Sequence, residues 1–158
     1  MKLHILRHAK TEPIAASGND FERKLLQKGI AQAEAMGTYL NEKLSRKLTV
    51  YASSSQRTTE TTKLIQQNFA FRDVRYDPNL YLASLEYLLK FVWSHEENHD
   101  FMLIGHNDGL SELACYFTDE YIGLKTCGYC CIEFSTSSWL ETASGLGRLV
   151  DAFRPEIE

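Results

Sequence analysis

The sequence contains no apolar run near the roughly 18 residues that a membrane-spanning helix requires. It also has no internal repeat and no low-complexity stretch. Positive charge is not in excess: the net charge is −4, whereas a general nucleic-acid binder carries a basic footprint. A small, locally positive pocket stays compatible with that balance. There is no G-x-S-x-G, the strained turn that mounts a nucleophilic serine in many hydrolases. A Ser/His/Asp arrangement built on one of Ser53 to Ser55 with His106 therefore lacks its frame. The start, MKLHILRHAK, is unlike a secretory signal, because its apolar stretch is short and charges follow at once. Together these absences predict a cytoplasmic protein with neither nucleic acid nor membrane as a partner.

Cysteine is present without the pattern of a metal centre. The four thiols stand at Cys115, Cys127, Cys130 and Cys131. Cys127 and Cys130 have a C-x-x-C spacing, but no second pair exists and no histidine lies near them in sequence. Free thiols packed as small hydrophobes are the expectation, with no metal and no cofactor.

What is present is ordinary for a globular chain: 158 residues, 44% hydrophobic and 24% charged, with only 3 Pro. That length suits one domain over residues 1–158 without a sizeable cap insertion. Leu3 to Leu6 reads as a first strand. Leu26, Ile30, Ala33, Gly37, Leu40 and Leu44 then recur at spacings of three and four, one face of a helix. LTVYAS at 48–53 is a second strand, and the serines at 53–55 can cap a helix beginning near Arg57. A short strand follows at Val74 to Tyr76. Ser84 is an N-cap for a helix carrying Leu85, Leu88, Leu89 and Val92. FMLIG at 101–105 is a continuous apolar run, the pattern of a strand covered on both faces. Asp108 is placed to cap a helix with Leu110, Leu113, Ala114 and Phe117. CCIEF at 130–134 and RLVDAF at 148–153 are the last strands, with no crossover helix between them. The alternation predicts an α/β fold: three layers, a mostly parallel sheet and an antiparallel strand in a hairpin at its edge.

In open parallel sheets, ligands bind beyond the carboxyl ends of the strands. The first strand ends in Arg7–His8, the second runs through SSSQR to Arg57, and the fourth ends in Gly105–His106–Asn107. Two guanidiniums and two imidazoles would thus gather at one sheet edge. Arg57 and Asn107 would lie near helix N-termini, which favour an anion. Collecting like charges in a concavity costs several kcal/mol unless a counter-charge arrives. A phosphoryl group fits, because the arginine fork matches phosphate oxygens.

L-R-H-A at the first strand end, S-S-x-x-R-T-x-x-T after the second, G-H-N after the fourth and L-x-x-K-G-x-x-Q-A in the first long helix resemble the histidine phosphatase (phosphoglycerate mutase-like) superfamily. The L-Y-x-A-S stretch at Leu80 to Ser84 and the compact tail resemble its short SixA-like phosphohistidine phosphatase branch. The resemblance implies a phosphoglycerate mutase-like fold and metal-independent phosphatase activity. His8 would be the nucleophile that becomes phosphorylated. Arg7, Arg57 and His106 would contact the phosphoryl oxygens, with Asn107 as an accessory phosphate-binding residue.

Members of the superfamily that act on alcohol esters carry an acid in the loop after the third strand. Here Leu80–Tyr81–Leu82–Ala83 holds none, and Glu86 and Asp108 are weak substitutes. An imidazole leaving group needs that acid less than an alkoxide does. The little chain available for a lid leaves an open pocket. The substrate expected on these grounds is phosphohistidine on a signalling protein. A phosphatase or mutase for a small phosphorylated metabolite and a non-catalytic phosphate-binding module are the competing readings. Lys10, Trp93, Trp139, His4, His95 and His99 read as surface or packing residues.

Overall fold

A computed structural model describes residues 1–158. Six strands form one sheet in the order β3-β2-β4-β1-β5-β6. Their ranges are β1 Lys2–Arg7, β2 Thr49–Ser53, β3 Asp73–Asp77, β4 Phe101–Gly105, β5 Tyr129–Phe134 and β6 Gly147–Phe153. Four helices accompany them: α1 Gln27–Lys43, α2 Gln56–Gln66, α3 Leu85–Trp93 and α4 Gly109–Thr118. β1, β2, β3 and β4 are parallel. β5 runs antiparallel to β1, and β6 antiparallel to β5. β5 is therefore the one reversed strand, and β6 at the edge regains the direction of the parallel set. The architecture is the expected mostly parallel α/β sheet.

Side-chain alternation along the central strands feeds two separate cores. Leu3, Ile5, Phe101 and Leu103 face α3 and α4, where they meet Leu88, Val92, Leu113 and Phe117. Leu6, Val50, Ala52, Met102 and Ile104 face α1 and α2, meeting Ala33, Met36, Leu40 and Ile65. All five residues of β4 are buried, as its uninterrupted apolar sequence predicts. β3 lies at the sheet edge and is mostly exposed, with Arg75 and Asp73 paired across 2.9 Å. Charges on an edge strand discourage further pairing.

The buried face of α1 differs from the periodic reading. Leu26 and Leu44 flank the helix rather than belonging to it, and Ile30 is half-buried. Gly29, Gln32 and Met36 join Ala33, Gly37 and Leu40 underneath. A polar glutamine and two glycines enter the interior because the helix closes on backbone there, not only on apolar side chains. The capping expectations divide: Ser55 stands at the α2 N-cap without a side-chain cap bond. Ser84 caps α3 as predicted, accepting the Tyr87 amide at 3.2 Å. Asp108 stands at the α4 N-cap without a side-chain cap bond. Asn107 supplies the acceptor instead, its Oδ1 taking the Ser111 amide at 3.3 Å and hydroxyl at 2.7 Å. No helix is long and apolar enough to cross a membrane.

Candidate active site

β2, β4 and β1 are adjacent in the sheet, so their carboxyl ends open side by side. β1 delivers Arg7 and then His8, and β4 delivers His106 and Asn107. β2 stops at Ser53, and the chain turns into α2 with Arg57 in its first turn. All five residues line one cleft of about 530 Å³. The His8 and His106 ring centres are 5.3 Å apart. Arg57 Nε lies 3.3 Å from His8 Nε2.

The backbone around His8 is fixed from both neighbouring strands. Its amide donates to Gly105 O at 3.1 Å, and its carbonyl accepts from the Cys127 amide at 2.9 Å. Its ring Nδ1 lies 2.8 Å from Ala9 O. A carbonyl only accepts, so Nδ1 carries the proton and Nε2 keeps its lone pair. Burial pushes the His8 pKa down to about 3; the Arg57, Arg7 and Arg23 charges add to this, and the bond to Ala9 opposes it. The ring is neutral at pH 7. His106 is likewise held down to about 3, by burial first and then by His8 and Arg57.

Arg57 is 2% exposed and is gripped by a residue that motif reasoning passed over. Its Nη1 donates to Asp20 O at 2.7 Å, and its Nη2 to Asp20 Oδ2 at 3.0 Å. Asp20 Oδ1 in turn accepts from Arg23 at 2.9 Å. The Tyr81 hydroxyl donates to Asp20 Oδ2. These donors hold the Asp20 carboxyl below the usual carboxylate range: the Tyr81 hydroxyl first, then Arg23 and Arg57. Asp20 lies in the polar loop after β1, and Tyr81 in the loop after β3. Nothing in local sequence links the two.

Arg7 donates from Nη1 to Leu124 O at 3.0 Å, while its Nε is buried without a protein partner. Asn107 Nδ2 donates to the same carbonyl at 2.7 Å. Lys10, Thr11, Arg23 and Thr126 complete the polar lining, and Pro13, Leu26 and Leu82 the apolar part. Four cations, Arg7, Lys10, Arg23 and Arg57, thus face the cleft against the single carboxylate of Asp20. A positive well sits in a chain of net charge −4.

The quoted motif residues outside the cleft support its walls. The Ala9 amide donates to Thr61 Oγ1 at 3.1 Å, and the Lys10 amide donates to Gln32 Oε1 at 3.0 Å. Gly29 lets α1 pass against Lys10: a Cβ there would stand 2.0 Å from Lys10 O. Spacing identified these positions without revealing that each braces the loop after β1.

Other candidates lie elsewhere. Glu86 is exposed on α3 and pairs with Lys90 at 3.1 Å. Asp108 is not among the lining residues. Trp139 is fully buried, and Trp93 donates to Thr142 O at 2.9 Å. His4 pairs with the Tyr129 hydroxyl at 2.8 Å, His95 stacks on Phe101 at 4.0 Å, and exposed His99 contacts Glu97. Cys127, Cys130 and Cys131 are buried free thiols that burial pushes up to about 12. No group of three or more His, Cys, Asp or Glu side chains is arranged to hold a metal ion.

Comparisons with known proteins bear on the family and the fold. A family model for the histidine phosphatase superfamily (branch 1) matches residues 3–81. No curated protein matches the chain. Among solved structures, the SixA protein of Agrobacterium tumefaciens superposes with a TM-score of 0.84 at 25% identity, covering 98% of this chain and 97% of that one. A protein histidine phosphatase SixA complexed with tungstate superposes at 0.82 with 16% identity, covering 98% and 97%. A mycobacterial glucosyl-3-phosphoglycerate phosphatase gives 0.67 at 14% identity, covering 94% and 96%. With the matched segment running from β1 through the Arg57 helix to Tyr81, the chain belongs to the histidine phosphatase superfamily, and it is a phosphatase.

Proposed function

We propose that the protein removes the phosphoryl group from phosphohistidine on another protein, through a covalent phosphohistidine formed on His8. The observation that carries this reading is the state of the acid. Asp20 is the sole carboxylate lining the cleft, and its arginine and tyrosine donors keep it ionised. It holds Arg57 and has no proton to give. The loop after β3, where enzymes acting on alcohol esters place an acid, presents Leu82 to the cleft instead, 54% exposed. An alkoxide leaves poorly without a proton donor, whereas an imidazole is protonated readily near neutral pH. The cleft is also open: only residues 78–100 separate β3 from β4, and α3 uses nine of them. A side chain displayed on a folded partner can enter such a mouth. The name of one structural neighbour, a protein histidine phosphatase, accords with this.

The reaction follows from the donors present. The substrate phosphoryl group sits between Arg7, Arg57 and His106, with the second hydrogen of Asn107 Nδ2 as an additional donor. His8 Nε2 attacks phosphorus and forms a new P–N bond. The substrate's P–N bond breaks, and its electron pair goes to the departing imidazole nitrogen, which is protonated from solvent through the open mouth. Water then attacks the phosphorylated His8, inorganic phosphate leaves, and Nε2 recovers its lone pair. Dividing the transfer in two lowers each barrier. Preoriented donors stabilise the charge on the equatorial oxygens with no reorganisation. The buried, unpartnered Arg7 Nε and His106 Nδ1 are the kind of orphans that a bound oxyanion would satisfy. Four unoxidised thiols fit the reducing cytoplasm.

Turnover of a phosphohistidine-bearing protein, p-nitrophenyl phosphate and sugar phosphates, measured side by side, tests the reading. Phosphohistidine is expected to be the preferred substrate, with His8→Ala inactive on all and yielding no phosphoenzyme by mass spectrometry. A hundredfold preference for a sugar phosphate would overturn the substrate assignment. Wild-type turnover by His8→Ala would overturn the nucleophile.

A further inference from the structure

His106 has one ring nitrogen engaged and one without a partner. Its Nε2 lies 2.9 Å from Ser53 Oγ, with Ser55 Oγ more distant at 3.5 Å. Its Nδ1 is buried with no partner in the protein. Ser53, the last residue of β2, is fully buried. Its Oγ already accepts the Ser55 amide N–H at 3.3 Å, and no other acceptor lies within reach of its hydroxyl proton. The neighbouring hydroxyls are occupied with one another: Ser55 Oγ pairs with Thr58 Oγ1 at 2.7 Å, and Thr58 Oγ1 donates to Ser53 O at 2.5 Å.

Two proton arrangements are open to the pair. If Nε2–H donates to Ser53 Oγ, the buried Ser53 proton has no acceptor and the Nδ1 lone pair has no donor, so two groups are unsatisfied. If Ser53 O–H donates to Nε2, the imidazole proton moves to Nδ1 and a single group, the Nδ1–H donor, is unsatisfied. Each buried orphan carries a desolvation penalty, so the second arrangement is favoured. It also leaves the ring with the polarity an oxyanion needs. The opposite tautomer would turn a lone pair towards phosphoryl oxygen.

We propose that Ser53 is a positioning residue that holds His106 in the Nδ1–H form, so that this proton is donated to a phosphoryl oxygen. The role of the donor rests on the phosphatase reading above; the tautomer does not. Both histidines of the cleft then share one tautomer for opposite uses. In His8 the Nδ1–H is tied to Ala9 O and frees Nε2 to attack. In His106 the Nε2 is tied to Ser53 and frees Nδ1–H to donate.

Nitrogen-15 NMR of the histidine side chains at pH 7 tests this directly. The wild-type protein is expected to show His106 Nδ1 protonated and Nε2 unprotonated, with the Nδ1–H resonance moving when inorganic phosphate is added. Ser53→Ala is expected to give mixed tautomers and a kcat reduced on the order of tenfold to a hundredfold, as when a partner that orients an imidazole is lost. Ser53→Thr, which keeps the hydroxyl, restores both. A protonated Nε2 in the wild-type protein, or an unchanged tautomer in Ser53→Ala, would overturn the assignment. If Ser53→Ala does not fold, the wild-type spectrum alone decides. A phosphatase that prefers sugar phosphates while showing the Nδ1–H tautomer would overturn the substrate reading and leave the role of Ser53 standing.

Discussion

His8 is held at its amide, its carbonyl and Nδ1, so the lone pair that can react is on Nε2, where Arg57 Nε–H donates at 3.3 Å. The same economy governs Arg57, whose contacts with Asp20 fix the guanidinium plane while leaving further N–H groups for a ligand. This makes separate predictions for the two partners. Arg57→Ala is expected to lower kcat by about 10²–10³, the usual cost of losing a preorganised donor. Asp20→Ala keeps the donor and loses only its alignment. Its kcat is expected to fall roughly tenfold to a hundredfold. Steady-state kinetics on a phosphohistidine substrate checks both. A loss in Asp20→Ala as severe as in Arg57→Ala would mean that Asp20 takes part in the chemistry itself.

At the scale of elements, the sheet order explains why three sequence-distant segments meet. β4 inserts between β2 and β1, so His106 and His8 follow adjacent strand ends, with Arg57 beside them in the first turn of the helix after β2. α1 then closes against the loop after β1 through Gly29 and Gln32. A methyl group at Gly29 would collide with backbone, which cannot turn aside like a flexible side chain. Gly29→Ala is therefore expected to destabilise the protein by about 1–3 kcal/mol and to lower kcat, because Lys10 and the His8 segment move together. Urea denaturation and turnover of the same variant check the two effects. The helix and strand segments were legible from hydrophobic period. The buried face of α1 was not, because Gln32 and Gly29 are buried by backbone contacts that an apolar count does not register.

For the whole molecule, burial of neutral imidazoles couples stability to pH. His4, His8 and His106 are held down to about 4, 3 and 3, in each case chiefly by burial. Their ordinary value is about 6.5 in an unfolded chain. A lowered folded pKa means that the unfolded chain binds more protons as pH falls below 6.5. The stability present above that pH is lost progressively, by up to about 1.4 kcal/mol per pH unit for each ring, until the folded pKa is reached. Against a typical total of about 5–15 kcal/mol, three such rings are decisive. The urea midpoint is expected to drop steeply between pH 7 and pH 5. A midpoint that stays level across that range would mean that the folded protein protonates these rings.

The sequence alone determined the strand and helix order, the largely parallel sheet and the residues Arg7, His8, Arg57, His106 and Asn107 as candidates. Those features are local: hydrophobic period selects the element, and strand ends bearing charge mark the edge where a ligand binds. Only the tertiary structure decided that Asp20 and Tyr81 grip Arg57, that Ala9 O sets the His8 tautomer, and that Ser53 faces His106. Apart from the bond between the neighbours His8 and Ala9, whose geometry the flanking strands fix, these are contacts between segments far apart in the chain. No period or spacing encodes them, because their geometry exists only once the strands have been brought side by side.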